Sequence, residues 1–350
     1  MAYASISKPS LHFNTKLYTG NGGTNAQTGV GFQPDWVWIK SRSQSVNHYG
    51  FDAVRGATKG LSQNITNAES TRDSTWFNSF DSDGFTIGSE ANINNNSSTY
   101  VAWNWKAGGS GSSNTDGTIT STVSANTTAG FSIVKYTGNN TAGATVGHGL
   151  GAVPKFMIMK ELGGTNGWHV YHHSIGNDNV AVLDQTAGYY TSNNFLNSTN
   201  PTSSIFTLGQ NGGSNATTGM IAYCFAEITG FSKFGKYIGN NSANGPFCYT
   251  GFKPAFVIHK KVTPAGTSTN DSWVLSDSTR NTTNPIGSYL FADQANAESS
   301  TTFVDYYSNG FKFRITDSTT NNNGDTYIFA AFAAEPLVAN VGQSIPATAR

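Results

Sequence analysis

Short apolar runs, separated by turns rich in Gly, Asn, Ser and Thr, recur along the whole chain. The run Tyr100–Trp105 alternates large and small side chains with a period of two, which is typical of a β-strand with one face in a core. In Trp36–Ile39 every position is apolar, which indicates a central strand covered on both faces. No segment of helix length repeats apolar residues at positions i, i+3, i+4 and i+7. The pattern therefore predicts an all-β protein.

The apolar runs form five elements that occur three times in one order. Each copy has a Tyr-x-Gly-Asn opening, a proline-led run ending in lysine, a middle aromatic element, a Phe-led run and a closing aromatic strand. The openings are Tyr18–Asn21, Tyr136–Asn139 and Tyr237–Asn240, and the proline-led runs are Pro34–Lys40, Pro154–Lys160 and Pro254–Lys260. The middle elements are His48–Phe51, Trp168–Tyr171 and Trp273–Leu275. The Phe-led runs are Phe85–Gly88, Phe206–Gly209 and Phe311–Arg314, and the closing strands are Tyr100–Trp105, Met220–Phe225 and Tyr327–Phe332.

A repeat of about 100 residues is too long for a solenoid or a propeller blade and matches one small β-sandwich. We therefore predict tandem antiparallel β-sandwich units, of jelly-roll or concanavalin A-like type, that arise from an internal triplication. The predicted parts are an N-terminal arm (1–16), repeat 1 (17–106), a Gly/Ser/Thr-rich linker with a candidate extra strand (107–130), repeat 2 (131–230), repeat 3 (231–340) and a C-terminal tail (341–350). Phe13 precedes Tyr18 by the same five residues that separate Phe131 from Tyr136, so the arm is expected to join the first sheet.

Composition and charge exclude several classes of protein. Lys+Arg and Asp+Glu are balanced at 20 each, and charged residues make up 11% of the chain, against about 25% in an ordinary domain. Aromatic residues at 13% exclude a disordered chain. Without a basic excess or a long apolar stretch, we expect no nucleic-acid partner and no membrane insertion. The start of the chain has no visible secretory signal, and two cysteines are too few for a disulfide framework.

The residues that usually carry catalysis or bind metals do not recur among the copies. The glutamates show no paired-carboxylate pattern of a glycosidase. His169, His172 and His173 have a metal-like spacing, but on a strand His172 would point away from the other two, and no carboxylate or cysteine adjoins them. Asp81–Gly84 and Asn321–Asp325 are oxygen-rich, yet they are more typical of turns than of calcium loops. The sequence predicts no catalytic residue, no metal, no cofactor and no enzymatic activity.

Two Asp-x-x-Arg segments, Asp52–Arg55 and Asp277–Arg280, lie at matching places in copies one and three. Their spacing predicts a local ion pair that braces a turn, which contributes little if it is exposed. Copy two has Ser174–Gly176 at this place, so the sandwich itself does not require the pair.

Polar loops with interspersed Tyr and Trp are typical of surfaces that bind carbohydrate or protein. Two consecutive tyrosine pairs occur in such surroundings, and on an extended backbone one ring of each pair would face solvent. The candidate contact residues, for a glycan or a neighbouring subunit, are Tyr189, Tyr190, Tyr306 and Tyr307.

Several stretches of the chain are specific as a set. They include MAYASISKPSLHFNTKLYTGNGGTN, GFQPDWVWIKSRS, DGFTIGS, YVAWNWKAGG, TAGFSIVKYTGN, YCFAEITGFSKFGKYIGN and GPFCYTGFKPAFVIHKK. From Met1 to about Ala339, the chain resembles a domain of unknown function that is abundant in marine bacteriophage genomes. Such proteins lie among phage structural genes and are often labelled tail or receptor-binding proteins, sometimes lectin-like.

The resemblance implies a virion protein on the particle surface, in the tail rather than the capsid, that is assembled in the host cytoplasm. Its expected partners are other virion proteins, further copies of itself (a homotrimer is favoured) and a host cell-surface glycan. The resemblance carries over no catalytic residues. A capsid or tail decoration protein with an assembly role is the alternative, because three similar units in one chain can mimic a trimer. A polysaccharide depolymerase ranks third.

Overall fold

The computed structural model of the chain describes residues 4–262 and 271–337. The predicted C-terminal tail, residues 341–350, lies outside the described residues. Within them, the chain is built from β-strands and a few one-turn helices, and all named strand pairs are antiparallel. The prediction of an all-β, antiparallel protein is therefore confirmed.

For description we divide this chain into unit 1 (13–106), unit 2 (107–230) and unit 3 (231–337). A short 3-10 helix, Pro9–Leu11, precedes unit 1. Unit 1 contains β1 (Phe13–Thr19), β2 (Asn25–Gln27), β3 (Trp36–Ser41), β4 (Tyr49–Asp52), β5 (Lys59–Ser62), β6 (Ser70–Thr71), β7 (Phe77–Asp81), β8 (Gly84–Ile87), α1 (Ala91–Asn94) and β9 (Thr99–Trp105). Unit 2 contains β10 (Ser112–Asn114), β11 (Ser121–Asn126), β12 (Phe131–Tyr136), β13 (Thr145–Gly147), β14 (Pro154–Glu161), β15 (His169–His172), β16 (Asn179–Val182), β17 (Tyr189–Thr191), β18 (Ile205–Thr207), α2 (Gly212–Asn215) and β19 (Met220–Ala226). Unit 3 contains β20 (Ser232–Ile238), β21 (Phe247–Tyr249), β22 (Phe252–Lys261), β23 (Val274–Asp277), β24 (Ile286–Phe291), β25 (Ser299–Tyr307), β26 (Gly310–Phe313), α3 (Ser318–Asn321) and β27 (Thr326–Pro336).

One order of strand pairing recurs in the three main sheets. In each, the strand that leads into the Tyr-x-Gly-Asn opening pairs with the closing strand. The closing strand pairs on its other side with the proline-led strand, and the proline-led strand pairs in turn with the strand of the middle element. The orders are β1-β9-β3-β4-β5-β6, β10-β11-β12-β19-β14-β15-β16-β17 and β20-β27-β22-β23-β24-β25-β26-β21. Units 1 and 2 have a separate small sheet, β2-β8-β7 and β13-β18. In unit 3 the matching strands β21 and β26 continue the main sheet, which curls into a nearly closed form.

The segments at the edges of the copies also join sheets. Phe13 begins β1, so the end of the N-terminal arm lies in the first sheet, as the spacing predicts. Residues 107–130 contribute β10 and β11 to the sheet of unit 2, where Ser121–Asn126 pairs with Phe131–Tyr136. The linker thus contains the candidate extra strand, as Ser121–Asn126, together with a shorter one.

The central strands of the main sheets are buried on both faces. The β3 strand is buried at all six positions, which confirms its prediction as a doubly covered strand. Val37 and Ile39 face the core of unit 1 itself. Trp36 and Trp38, on the other face, lie in a large core that contains residues of all three units. We call this the shared core.

The shared core is built from matching positions of the three units. By strand register, Trp36, Phe156 and Phe256 each pair with the aromatic residue near the end of the closing strand. A narrow apolar cavity of about 10 Å³ is lined by three residues from each unit: Trp36, Trp38, Trp105, Phe156, Ile158, Phe225, Phe256, Ile258 and Phe332. The three units therefore meet around one line, which we call the central axis.

Aromatic stacking crosses the unit boundaries at this axis. Trp36 stacks on Trp105 of its own unit with centroids 4.4 Å apart, and on Tyr223 of unit 2 at 4.3 Å. Phe13 of unit 1 stacks on Phe332 of unit 3 at 5.4 Å. Because aromatic side chains bury 150–250 Å² each in general, no unit keeps a complete core without the other two.

Polar contacts close the units into a ring. The last residue of each middle strand contacts the closing strand of the next unit, so unit 1 meets unit 2, unit 2 meets unit 3, and unit 3 meets unit 1. The three bonds are Tyr223 Oη to Asp52 Oδ2 (2.8 Å), His172 Nε2 to the Phe329 carbonyl (3.1 Å) and Trp103 Nε1 to Asp277 Oδ2 (3.1 Å).

A second set of contacts follows the same ring. The residue just before each middle strand faces the backbone at the end of β5, β16 or β24 of a neighbouring unit. Trp168 Nε1 donates to the Ser62 carbonyl and Trp273 Nε1 to the Val182 carbonyl, both at 2.9 Å. His48 occupies the matching position of unit 1 and faces the Phe291 backbone, but its Nε2 has no hydrogen-bond partner.

The lysine that ends each proline-led run is buried and donates to backbone carbonyls. Lys40 Nζ reaches the Ala295 carbonyl at 3.1 Å and Lys260 Nζ the Gln185 carbonyl at 3.0 Å, both in a neighbouring unit. Lys160 Nζ donates within its own unit. Burial lowers the pKa of each lysine to about 8. These lysines tie loops to the ring through bonds that no aliphatic side chain could replace.

The shared core predicts a single cooperative unfolding transition. Trp105→Ala should lower the free energy of unfolding by about 3–5 kcal/mol, because it removes a ring stacked at the central axis. Far-UV circular dichroism and tryptophan fluorescence should report one common transition, before and after the substitution. Ile238→Ala, at a side chain that is 53% exposed, is the control and should change stability by no more than about 0.5 kcal/mol. Two separate transitions in the wild-type protein would contradict the shared core.

Buried neutral histidines predict a loss of stability in acid. Burial lowers the pKa of His172 and His259 to about 3, and also lowers that of His48, His148 and His169. Because the unfolded-state pKa is about 6.5, the unfolded chain binds protons first. This contribution to stability is complete above pH 6.5 and is lost as the pH falls toward 3.

The variant His259→Met removes one of these titratable groups. Methionine is a suitable replacement because Met159 occupies the matching position of unit 2. The variant should flatten the slope of unfolding free energy against pH by up to about 1.4 kcal/mol per pH unit between pH 6.5 and 4. Urea unfolding at several pH values measures the slope. An unchanged slope would mean that His259 is already protonated in the folded protein.

Candidate interaction surface

The structure separates the four tyrosines proposed as contact residues. Tyr306 is 2% exposed, and its hydroxyl shares a 2.8 Å hydrogen bond with Ser276 Oγ. This corrects its assignment as a contact residue: in β25 its ring points into the core, and its neighbour Tyr307 points outward. Tyr189 and Tyr190 are half-buried on β17 and pack against two different cores. Tyr307 is also half-buried, and its ring contacts the exposed ring of Phe247.

Among the described residues, the most exposed aromatic side chains lie on β21, where the sequence indicated no site. Phe247 is 46% exposed and Tyr249 is 55% exposed, and Cys248 between them is buried. Three residues are too few to establish a period of two. The run Phe-Cys-Tyr therefore gives no indication from sequence that its two rings face solvent.

Strand register places these rings beside Tyr307. Residues directly opposite in antiparallel strands share a face. One row across β21, β26 and β25 is Phe247, Lys312 and Asp305, and the next is Tyr249, Gly310 and Tyr307. The Phe247 and Tyr307 rings meet edge to face with centroids 6.1 Å apart. We call Phe247, Tyr249 and Tyr307 the aromatic face.

Glycine at position 310 is required by close packing. A Cβ atom there would lie 2.2 Å from the Cys248 carbonyl oxygen and 2.8 Å from Cζ of Phe247. The backbone of β26 therefore approaches β21 closely, and the Phe247 ring lies next to Gly310. This contact brings Phe247 within reach of Tyr307.

Charged groups border the aromatic face. Asp305 Oδ2 accepts a hydrogen bond from the Tyr307 hydroxyl at 3.0 Å and lies 3.6 Å from Nε of Arg314. Desolvation and the neighbouring Asp305 carboxylate raise the pKa of Tyr307. Lys312 lies opposite Asp305 in the register. The Tyr307 hydroxyl is thus held as a donor at neutral pH.

Tyr249 also borders a depression at the junction of units 2 and 3. The depression has a volume of about 190 Å³, and its polar lining comes from Glu227, Thr229, Ser232, Lys233 and Thr250. It is smaller than the about 300–1,000 Å³ of a pocket for a drug-sized ligand. A single small ring with one side open to solvent fits it better than a fully enclosed molecule.

The carboxylate in the depression is held ionised. Lys155 Nζ and Lys233 Nζ each donate to Glu227 Oε1 at 3.0 Å, and the Phe234 N–H donates to Oε2 at 3.3 Å. Burial alone would raise the pKa of Glu227, but the two lysines lower it below its ordinary value. Glu227 therefore binds cations and donors and is poorly suited to act as a general acid.

The histidine cluster does not form a metal site in the described part of the chain. His172 contacts the Phe329 carbonyl, and His173 Nε2 contacts the Phe234 carbonyl at 2.9 Å, so both link unit 2 to unit 3. His169 contacts the Gly167 carbonyl. No group of three or more His, Cys, Asp or Glu among these residues is placed to hold a metal ion.

The oxygen-rich segment Asp81–Gly84 forms the hairpin turn that joins β7 to β8, as its sequence predicts. Asp83 accepts hydrogen bonds from the N–H groups of Gly29 and Gly31 at 2.9 and 2.6 Å. Its carboxylate is thus occupied in fixing a neighbouring loop.

The Asp-x-x-Arg pairs form, but they are buried rather than exposed. Arg55 Nε lies 2.5 Å from Asp52 Oδ2 and Arg280 Nε lies 2.6 Å from Asp277 Oδ2, with all four side chains inaccessible. Each arginine also forms a second ion pair through its Nη1 atom, Arg55 with Glu69 and Arg280 with Glu298. Because Asp52 and Asp277 also accept the bonds from neighbouring units, these ion pairs stabilise unit boundaries rather than surface turns.

A buried asparagine at the end of each one-turn helix explains the Tyr-x-Gly-Asn openings. The side chains of Asn94, Asn215 and Asn321 accept hydrogen bonds from the N–H of the Asn in the opening of the same unit, at 3.0, 2.8 and 2.8 Å. The opening tyrosine donates to a carbonyl of the same helix. The sequence did not predict these helices, since four residues carry no helical period.

These observations define the class: an all-β protein whose three sheets enclose one core and whose third unit carries an exposed aromatic face. The chain belongs to the DUF7483 family, a domain of unknown function, whose model matches residues 8–336. No curated protein and no solved structure matches the chain.

None of the helices among the described residues has the length and apolar character needed to cross a membrane.

The different positions of the tyrosines can be tested by stability. Tyr306→Ala should lower the free energy of unfolding by about 3–5 kcal/mol, since it removes a buried ring. Tyr249→Ala should change it by no more than about 0.5 kcal/mol, since its ring is on the surface. Urea unfolding of the two variants gives the comparison. Equal effects would mean that the two rings have been placed on the wrong sides of the sheet.

Proposed function

We propose that this protein is a non-enzymatic bacteriophage virion protein, displayed on the particle surface, that contacts host-cell glycan as a tail-associated fibre or receptor-binding component. The observation that carries the proposal is the aromatic face, where two exposed aromatic rings lie on one short strand. Aromatic side chains give a large contact area at low entropic cost, and clustered exposed rings are typical of binding sites. The resemblance to proteins encoded among phage structural genes is the reason for assigning it to the virion.

The state of the glutamates favours binding over catalysis. All six belong to the described residues, and each has a hydrogen-bond or ion-pair partner. The pairs are Glu69 with Arg55, Glu90 with the Asn92 N–H, Glu161 with Asn166, Glu227 with Lys155, Glu298 with Arg42 and Glu335 with Lys253. Hydrogen bonds from cationic side chains lower the pKa of Glu227 and Glu298 against the effect of burial. A depolymerase would need a protonated carboxyl group facing a second carboxylate, so we rank that activity last.

We also propose that the chain is an internal triplication of a β-sandwich unit of jelly-roll or concanavalin A-like type. Support comes from the shared strand order of the main sheets and from the matching residues at the central axis. Copies that once assembled as a trimer would keep contacts of the same kind at every boundary. A homotrimer of whole chains stays a prediction.

A capsid or tail decoration protein with an assembly role is the second candidate. The arrangement of three units around one axis favours it, because a chain of this shape can occupy a position of threefold symmetry on a larger particle. In that case the polar surface would contact neighbouring virion proteins, and no host glycan would be required.

Adsorption measurements test the first candidate. Particles that lack the protein should adsorb to host cells more slowly than wild-type particles, and the purified protein should bind the cells and slow wild-type adsorption in proportion to its concentration. Unchanged adsorption in both experiments would remove the receptor-binding role.

Copy number per virion separates the two candidates in the same preparations. Quantitative mass spectrometry should give about six to eighteen copies for a tail component. Hundreds of copies would instead identify a head decoration protein.

A further inference from the structure

We infer that the aromatic face and the adjoining depression form one binding site for an oligosaccharide that carries anionic groups. The inference rests on the proposed function and deepens it, because it assigns the site and the charge of the glycan. Three observations carry it: the rings belong to unit 3 alone, the fold does not require them, and their surroundings have an excess of cations.

The other units show what the fold needs at these positions. In each unit the first Phe of the Phe-led run has one directly opposite partner on the neighbouring short strand. Phe85 lies opposite Gln27, Phe206 opposite Val146 and Phe311 opposite Cys248. Phe247 therefore matches Ala26 and Thr145, and Tyr249 matches Thr28 and Gly147. Small or polar residues serve in units 1 and 2, so neither ring is needed to form the strand pair.

The rings in unit 3 also expose apolar surface to water. Phe247 and Tyr249 are two of the most exposed large hydrophobic side chains of the described chain. Exposing such surface has no structural benefit, whereas a binding site uses it. Tyr249 belongs to the aromatic face and also lines the depression, so both surfaces can contact one extended ligand.

Electrostatics determines which ligand fits. The whole chain has a formal net charge of 0, but this region does not. Two cations accompany each of two carboxylates: Lys155 and Lys233 form ion pairs with Glu227, Arg314 forms one with Asp305, and Lys312 lies opposite Asp305 in the strand register. The neighbouring pair of Lys253 and Glu335 is balanced. Each cluster thus keeps one positive charge beyond its own carboxylate.

An anionic sugar chain complements this arrangement. Rings of the sugar can lie against Phe247 and Tyr249, as flat apolar surfaces do against aromatic side chains. Carboxylate or sulfate groups on the sugar can accept charge-assisted hydrogen bonds from the lysines and the arginine. The hydroxyls of Thr229, Ser232 and Thr250 line the depression and match the hydroxyls of a sugar ring. A fully apolar partner would leave these polar groups without hydrogen bonds.

Titration calorimetry with three related probes tests the site in the full chain: an oligogalacturonate, a sulfated galacto-oligosaccharide and a neutral galacto-oligosaccharide. We expect at least one anionic probe to bind at least about tenfold more tightly than the neutral one. The preference should weaken as salt rises from 50 to about 500 mM, because salt screens exposed charges. Comparison of the two anionic probes distinguishes carboxylate from sulfate.

Substitutions taken from the other units locate the site. The double variant Phe247→Thr and Tyr249→Thr should weaken anionic binding at least about tenfold, with an unchanged thermal unfolding temperature. Val153→Thr, at another exposed apolar side chain, is the matched control and should bind as wild type. Lys233→Gln with Lys312→Gln should reduce the preference for the anionic probe, and Lys236→Gln, an exposed lysine outside both clusters, should not.

Each outcome decides between defined alternatives. Anionic binding that the threonine double variant retains overturns the site. Equal binding of neutral and anionic probes overturns the charge assignment. If the protein slows phage adsorption but binds none of the probes, the inference fails and the proposed function stands. If it neither slows adsorption nor binds a probe, the proposed function fails as well.

Discussion

The structure depends on the stacking of large aromatic side chains around one central axis. Trp36 stacks there on Trp105 of its own unit and on Tyr223 of unit 2, each with ring centroids less than 4.5 Å apart, and Phe156, Phe256 and Phe332 line the same axis. The main sheets of units 1 and 2 each have one face on a core of their own and the other on this axis, and both faces of the unit 3 sheet belong to the shared core. A sheet removed from the ring would expose that second face to water, at a cost proportional to its apolar area. Burial at the axis therefore explains both the high aromatic content and the low charge of a chain whose sheets have few free faces.

The polar groups of the ring are a consequence of that packing. A donor or acceptor that enters a dry core is costly to leave unpaired, and three of those at the unit boundaries have a partner in the next unit. Asp52 and Asp277 each combine an arginine of their own unit with a donor from another, Tyr223 or Trp103. In unit 2 the same place is taken by His172, a neutral donor to a carbonyl, and the adjoining arginine is absent. Two of the three boundaries thus use a buried ion pair and the third a neutral histidine, which makes the boundary between units 2 and 3 chemically different from the others.

Much of the fold could be predicted from the sequence, because its information is local. The proline-led runs and the closing strands lie where their apolar patterns placed them, and the turn at Asp81–Gly84 follows from its turn residues. The patterns could not predict which distant residues pack against each buried face of a sheet. The alternation in Tyr100–Trp105 indicates that Trp103 is buried, but not that it donates to Asp277, which lies 174 residues away. The candidate site was harder still. Whether Tyr306 or Tyr307 faces solvent depends on the hairpin register with β26, and β21 is too short for its pattern to reveal Phe247 and Tyr249.

Unit 3 differs from the others in the region where the proposed site lies. In units 1 and 2, strands β2 and β13 belong to separate small sheets, and small or polar residues are sufficient on their outer faces. In unit 3 the matching strand β21 is the last strand of a continuous sheet, and it carries the exposed rings. The shared core can hold all three units rigidly while one unit alone changes its outer strand, since that strand contributes only Cys248 to the core. The arrangement thereby separates stability, which all three units supply together at the axis, from the outer strand of unit 3, where the proposed site lies. The same separation explains why residues that recur in the three units are structural, whereas the best candidates for function are residues that occur in one unit only.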